Sequence, residues 1–544
     1  MEINAQSLLR QADHMFSTME RVNVESQWAE LAEFLLPNNT GSWHQDETRG
    51  DKKTRRVFDS VGPQANHDLA SAMHSTLTNP ATNWVKFRFD SMQLNNDNEA
   101  LEWLDICADV FMSTLNESNF NTEVSKGYKN LTALGTMVLY HEDDRDDKGN
   151  WIGFRFKVWH LGDVAWSENH KGRVDTIARR FKLTARQAKE KWGDKCDDRI
   201  KQAYEQRPED EFEFVHIIMP RKHAKGDSMK KTKGKDRPFA SYYVCKTGNQ
   251  IMEEDGYYDF PVFVCRWETG PNEVYGRGPG HISISDVRSL NKVKELSLRS
   301  MAKSIDPPML VNHLSIVGNF DLRPGHVSVV RDINGVREMV PQARYDVTQF
   351  SVEQLHSSIK QSFFIDKLML PDREKIGEMS ALEVSQRVQQ MQRVLGPTLG
   401  RVDAELLNPL VIRGFQMLMR EGAFPPPPES IAESGAGVKV EYLNAMSRSQ
   451  KVEELQAIQQ WVQQLAGMAQ LGRPEALDLV NVDVAGYLLA RIQGVPESVI
   501  ANDKDVQTMR KQRAEQQQQQ MMLQQAMVAA DASSKMAKAG GGQQ

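Results

Sequence analysis

An acidic run, a glycine turn and two clusters of cations are the stretches of this 544-residue sequence whose residue types could do chemistry. Asp144, Asp146 and Gly149 match part of a calcium-binding loop, in which carboxylate oxygens ligate the ion and a glycine makes the sharp turn. Lys148 and Arg155 stand where that loop needs oxygen donors, so the run reads instead as a solvated hairpin tip. Gly276, Gly278 and Gly280 could cradle a phosphate, but the spacing departs from G-x-G-x-x-G and Pro279 interrupts it; a tight lead-in to a helix is the better reading. No G-x-x-x-x-G-K-[ST], H-E-x-x-H or G-x-S-x-G occurs. The four cysteines, Cys107, Cys196, Cys245 and Cys265, lie far apart and the thirteen histidines are scattered. Neither a metal site, a disulfide framework nor a cofactor is expected.

The first cluster of cations is Arg221, Lys222, Lys225, Lys230, Lys231, Lys233, Lys235 and Arg237, with glycines but no aromatic residues between them. It reads as a solvated hairpin loop, or as a patch for an anionic partner. The second is Arg288, Lys292, Arg299 and Lys303, which share one face of a helix at 100° per residue. Against 67 Lys plus Arg stand 73 Asp plus Glu, a formal net charge of −6. That balance argues against a protein whose task is tight, non-specific gripping of phosphate, and leaves room for a conduit that touches DNA weakly.

These residues are carried by a helix, a small β insert, a second helix, a loop and a long third helix between Tyr275 and Arg420. Ile284, Val287, Leu290, Leu298, Met301 and Ile305 share an apolar face of the first helix, which Asp306-Pro307-Pro308 stops. Val352, Leu355, Ile359 and Phe363 repeat the stripe on the second, so the two rods should pack antiparallel with the insert at their far end. Within the insert, 311–313 and 327–330 read as strands. Ser380 and Glu383 form a capping box for the third helix, and Gly396-Pro397 predicts a kink.

Upstream, amphipathic spacing predicts a helix or helix pair closed by Pro37, then helices over 59–78, 97–117 and 119–139. A hairpin follows from 136–141 and 151–159, then a strand and a helix capped by Thr184, and strands over 212–219, 238–246 and 262–269. The fold class is α+β and mainly helical. After Pro428, helices over 447–470, 474–492 and 497–530 read as a separate unit with a Gln-rich tail. The start Met1-Glu2-Ile3-Asn4 and the lack of a long apolar window predict neither a signal peptide nor a membrane span.

The segments Tyr275-Gly276-Arg277-Gly278-Pro279-Gly280, Asp306-Pro307-Pro308, Glu378-Met379-Ser380-Ala381-Leu382-Glu383-Val384 and Leu395-Gly396-Pro397 resemble those of the portal, or head-to-tail connector, proteins of short-tailed bacteriophages. So does the run containing Arg401, Glu405, Pro409, Arg413, Gly414, Phe415, Arg420, Gly422 and Pro425. The resemblance implies a dodecameric ring, without enzymatic activity, at one capsid vertex of a virion assembled in the host cytoplasm. Its regions here would be a wing (1–280) with a kinked helix (381–424), stem helices (281–305 and 348–369), a clip (306–347), a tunnel loop (370–380), a crown (425–512) and a flexible tail (513–544). Implied partners are double-stranded DNA in the channel, the tail adaptor, the large terminase subunit, and major capsid and scaffolding proteins. Asn312, His313, Arg331, Asp332 and Asn334 would contact the adaptor or terminase. Asp372, Arg373, Glu374 and Lys375 would form a DNA-touching loop tip, two charges of each sign approaching phosphate without trapping it. The basic face Arg288, Lys292, Arg299 and Lys303 would meet DNA or the capsid rim, or stay solvated. The competing class is a packaging motor or nuclease of the same particle, against which the missing phosphate loop counts.

Overall fold

In the computed structural model the described residues are 4–40, 43, 53–54, 56–90, 94, 97–146, 148–221, 233–314, 316, 321, 329–339, 345–368, 396, 398–429, 431, 438–442, 457–468, 479, 482–493, 506–522 and 527. The opening apolar spacing forms two helices, α1 (Ala5–Ser17) and α2 (Met19–Leu35). Asn4 caps α1 by accepting from the Ser7 N–H at 2.8 Å while the Ser7 hydroxyl accepts from the Asn4 N–H. Next come α3 (Val61–Leu77), β1 (Val85–Phe89), α4 (Asn98–Glu117) and α5 (Phe120–Leu134). The helix expected over 119–139 is shorter than its pattern, because Gly135 takes the left-handed region (φ 72°) and ends it. Thr136 then opens β2 (Thr136–Arg145), which turns into β3 (Trp151–Val158). At the hairpin tip Asp146 accepts from the backbone N–H groups of Lys148 and Asn150, so this carboxylate organises the turn.

The chain continues through β4 (Val164–Glu168), β5 (Val174–Thr184), α6 (Ala185–Trp192), α7 (Asp198–Gln206), β6 (Glu211–Pro220), β7 (Phe239–Cys245), β8 (Gln250–Tyr257), β9 (Val262–Arg266), β10 (Glu268–Thr269) and β11 (Gly276–Arg277). After these come α8 (Pro279–Ile305), β12 (Met309–Val311), β13 (Val336–Glu338), α9 (Tyr345–Ser362), α10 (Ile365–Leu368), α11 (Asn408–Glu421), β14 (Val438–Tyr442) and α12 (Val482–Gln493). Thr184 caps α6 as its sequence predicts. Two compact units result, one of Met1–Trp84 with Val110–Phe424, the other of Val85–Asp109 with Pro425–Gln544.

In the first unit an antiparallel sheet runs β4-β5-β6-β7-β8 and a smaller one β3-β2-β9. Alternation along β6 decides the layers: Val215 and Ile217 face α1, packing with Leu8, Leu9, Ala12, Met15 and Phe16, whereas Phe214 faces α6 and α7 with Trp192 and Ile200. α2 is anchored by Trp28, fully buried, whose indole N–H donates to the Leu134 carbonyl at 2.9 Å. Arg21 is buried beside it and donates to the carbonyls of Leu161 and Val164, which satisfies a guanidinium that burial would otherwise penalise. All four cysteines are buried free thiols.

In the second unit β1 pairs antiparallel with β14, Val85 opposite Tyr442. Lys86 reaches Asp105 at 3.3 Å, and the Trp103 indole N–H donates to the Pro425 carbonyl at 3.0 Å. Among the described residues no helix is long and apolar enough to cross a membrane.

Candidate functional site

The helix pair α8 and α9 starts from a crossing of two backbones. Gly276 pairs with Thr269 across β10 and β11, and its N–H donates to the Thr136 hydroxyl. A Cβ at Gly278 would meet the Gly135 Cα at 3.0 Å, and one at Gly280 would overlap the Ala133 carbonyl. The three glycines therefore let the end of α5 pass directly over the entry to α8, which is the lead-in expected from the sequence. Pro279 occupies the first helical turn, where its missing N–H costs nothing.

From there α8 is held on one side only. Val287 and Leu290 are buried, Asn291 accepts from the Phe58 N–H at 2.7 Å, and Asp286 accepts from the Ser358 hydroxyl of α9 at 2.6 Å. His356 on α9 meets Asp59 at 3.0 Å. Asp286 lies near the start of α8 and Ser358 near the end of α9, while β12 after α8 pairs antiparallel with β13 before α9. The helices thus run antiparallel with the small sheet at their far end. Beyond Asn291 no residue of α8 is buried. Leu298, Met301 and Ile305 are 47%, 49% and 84% exposed, and Leu310, Ile333, Met339 and Phe350 add to the apolar surface at that end.

Of the basic face, Arg288 bridges Glu30 at 2.7 Å, and Lys292 and Arg299 both reach Glu295, at 3.1 and 2.5 Å. Lys292 and then Arg299 hold the Glu295 carboxyl below its usual range. Lys303 is exposed near the helix end. The face carries its own counter-charges, so its net positive field is weaker than four cations suggest.

In the insert Asn312, His313, Arg331, Asp332 and Asn334 are all exposed. Asp332 accepts from the Asn334 N–H and Asn312 from the Leu314 N–H, which rigidifies both turns. Of the strand expected at 327–330 only 329 and 330 lie among the described residues, where Val330 bridges Ile316; the described pairing partner of Met309–Val311 is Val336–Glu338, which the turn at Ile333–Gly335 leads into. Asp372, Arg373, Glu374 and Lys375 lie outside the described residues, as do Lys222, Lys225, Lys230 and Lys231. Arg221 and Lys235 pair with Glu254, each at 3.2 Å.

A buried ionic cluster was not singled out by the sequence. Arg266 on β9 donates to Glu405 at 2.7 Å, to Glu168 on β4 and to the Val274 carbonyl at 3.2 Å, and its backbone N–H donates to Glu405 at 2.9 Å. Burial opposes the guanidinium charge, but Glu405 and then Glu168 outweigh it and hold the pKa above its ordinary value. Glu405 sits in a π turn, Asp403–Leu407, closed by the Asn408 N–H on the Asp403 carbonyl just before Pro409. The kink expected at Gly396-Pro397 falls on Pro397, outside the described residues, whereas this irregularity lies where Pro409 has no N–H to give.

Asp403 in that turn has a buried Oδ1 without a hydrogen-bond partner, and burial pushes its carboxyl up to about 6. A raised acid costs folded-state stability only when ionised, so the penalty is absent below about pH 4 and complete above about pH 6. Asp403→Asn should therefore unfold at higher urea than the unmodified chain at neutral pH, with the gap closing as pH falls to about 4. A gap of constant size across that window would show that Asp403 does not titrate there.

A family model described as bacteriophage head to tail connecting protein matches residues 6–500 of the chain. A portal protein of Salmonella phage epsilon15 is 26% identical over 524 residues, which is 94% of this chain and 92% of that protein. A probable portal protein of Bordetella phage BPP-1 is 25% identical over 508 residues, 91% of this chain and 89% of that protein.

Proposed function

This chain belongs to the bacteriophage head-to-tail connecting protein family, and we propose that it is the ring subunit through which double-stranded DNA enters and leaves the phage head. The observation that carries this reading is the one-sided packing of α8, whose outer half presents Leu298, Met301 and Ile305 to solvent beside a small sheet. A closed ring buries such surfaces by repeating one heterologous contact around an axis. Twelve copies, the number the family resemblance implies, form the ring at one capsid vertex.

In this reading the wing is 1–280 with the helix 381–424, the stem is 281–305 with 348–369, and the clip is 306–347. The crown is 425–512, and 513–544 is the tail. The clip residues Asn312, His313, Arg331, Asp332 and Asn334 meet the tail adaptor and, during packaging, the large terminase subunit. The loop 370–380 reaches the channel, and its tip Asp372, Arg373, Glu374 and Lys375 touches DNA without gripping it. The basic stem face meets capsid or DNA with only part of its charge uncompensated. Capsid and scaffolding proteins hold the ring in the head, the virion is its destination, and it turns over no nucleotide.

Replacing Leu298, Met301 and Ile305 together by Glu tests the proposal, because none of the three is buried within the chain. Native mass spectrometry and negative-stain images should find rings of the unmodified protein and only folded single chains of the variant. Unchanged rings from the variant, or nucleotide hydrolysis by the pure unmodified protein, would overturn the reading.

A further inference from the structure

A groove of about 840 Å³ lies between the turn after α2, the start of α3, the outer face of α5 and β3. Its size is that of a ligand site rather than of a packing defect. The rim carries Lys126 and Lys129 from α5, and Arg155 and Lys157 from β3. Among the described residues the carboxylate lining it is Glu123, and both of its oxygens are engaged: one accepts from the Lys126 ammonium at 2.6 Å, the other from the Val158 N–H at 2.8 Å. Lys129, Arg155 and Lys157 line the space as well, so that among its described lining residues four Lys and Arg side chains face one carboxylate, with Glu142 acting on Lys157 from outside the lining. Partial burial, then the Arg179 and Arg155 guanidiniums, push the Lys157 ammonium below its usual range. Leu36, Pro37, Pro63 and Val158, each partly exposed, give the groove an apolar component.

Beside the groove, the backbone of β3 is already satisfied by side chains. Asn119 donates to the Phe156 carbonyl at 2.7 Å and accepts from the Phe156 N–H at 2.8 Å, and Glu123 takes the Val158 N–H. An occupant therefore cannot dock there as an added strand and must be recognised through its side chains.

We propose that this groove docks an extended, acidic segment of another protein, with apolar side chains on the floor and carboxylates among the four cations. Three observations choose that occupant. A nucleic-acid duplex presents a phosphate-lined exterior rather than apolar side chains to Pro37 and Pro63, and its phosphates lie on a convex cylinder that a slot of this size does not follow. A second copy of this chain is poorly suited, since many of its exposed carboxylates are matched locally: Glu209 by Arg186, Asp194 by Lys189, Asp198 by Lys201 and Glu213 by Lys246. The crowding of like charges at Lys157 is relieved by incoming carboxylates. The proposal does not depend on ring formation, and its test can fail while rings persist.

Fluorescence anisotropy with the full-length protein tests it, using a short labelled peptide that alternates Glu and Leu as probe. The unmodified protein should bind the peptide, and Lys129→Glu combined with Lys157→Glu should weaken binding by about tenfold or more. Neither position is in the hydrophobic core, and an unchanged urea midpoint verifies the fold of the variant. The same reversal at Lys148 and Lys171, both exposed and away from the groove lining, should leave binding unaltered. No binding by the unmodified protein, equal binding by both variants, or equal losses in both would overturn the groove as a docking site. An all-Glu peptide binding as tightly would overturn the role of the apolar floor, and displacement of the probe by a short DNA duplex at equal concentration would assign the groove to nucleic acid instead.

Discussion

Gly280→Ala should leave the first unit barely folded, even though it adds a single methyl group. The new Cβ would overlap the Ala133 carbonyl oxygen, lie 2.8 Å from the carbonyl carbon and stand 2.9 Å from Leu35 Cδ1. Two of those atoms are backbone at the end of α5, where Gly135 already fixes the chain in a left-handed turn against Arg277. Neither segment can retreat without breaking the crossing that starts α8. A cost of about 3–5 kcal/mol is expected, at the upper end of what point substitutions do and comparable with much of a domain's net stability. Gly400→Ala is the control: a Cβ there meets nothing within 4 Å in a helical stretch, so it should be neutral or slightly stabilising. Urea denaturation of the two variants measures the contrast, and equal midpoints would refute the backbone crossing.

The second large effect is expected at Arg266. Its side chain is 8% exposed, and Glu405 and Glu168 are 19% and 21% exposed, so Arg266→Leu leaves two carboxylates facing an apolar side chain with little water to screen them. Removing one partner of a buried ion pair costs about 3–5 kcal/mol, whereas replacing both partners by apolar groups is often nearly neutral. Arg266→Leu combined with Glu405→Leu should therefore recover much of what Arg266→Leu loses, apart from the Glu168 carboxylate that remains. The coupling energy from a double-mutant cycle in urea gives the answer. Strict additivity of the two single substitutions would mean that the cluster contributes nothing as a pair.

How much of this could be read beforehand depended on whether the signal was local. Thr184 and Gln187 sit three residues apart and cap α6, and the alternation of Phe214 to Ile218 described β6 correctly, because each signal is complete within one element. β4 and β8 were missed. They border the five-stranded sheet, and Trp166 and Ile251 take their places opposite Ile177 on β5 and Val244 on β7 rather than from a strong pattern of their own. Arg266 and Glu405 lie 139 positions apart in sequence, and no spacing rule joins them. The π turn has Pro409 as its local mark, but a proline at that position reads equally as an ordinary first helical turn. The basic face of α8 was legible as a row of cations, and Glu295 stands at helical spacing from Lys292 and Arg299, but the pairing of Arg288 was not legible, since Glu30 arrives from α2.

The one-sided support of α8 has a consequence for when this helix finishes folding. Its inner half, up to Asn291, is clamped by α2, α5 and α9, while no residue of the outer half is buried even though α9 runs beside it towards the small sheet. A helical stretch of that length is marginal in water by itself. In a lone chain its amide protons should exchange with solvent through frequent local fraying, and covering the exposed leucine and methionine side chains would suppress that exchange. In the ring proposed above, association and the completion of secondary structure would be a single event, in which the last turns of the rod gain their cooperativity from a neighbour instead of from their own chain.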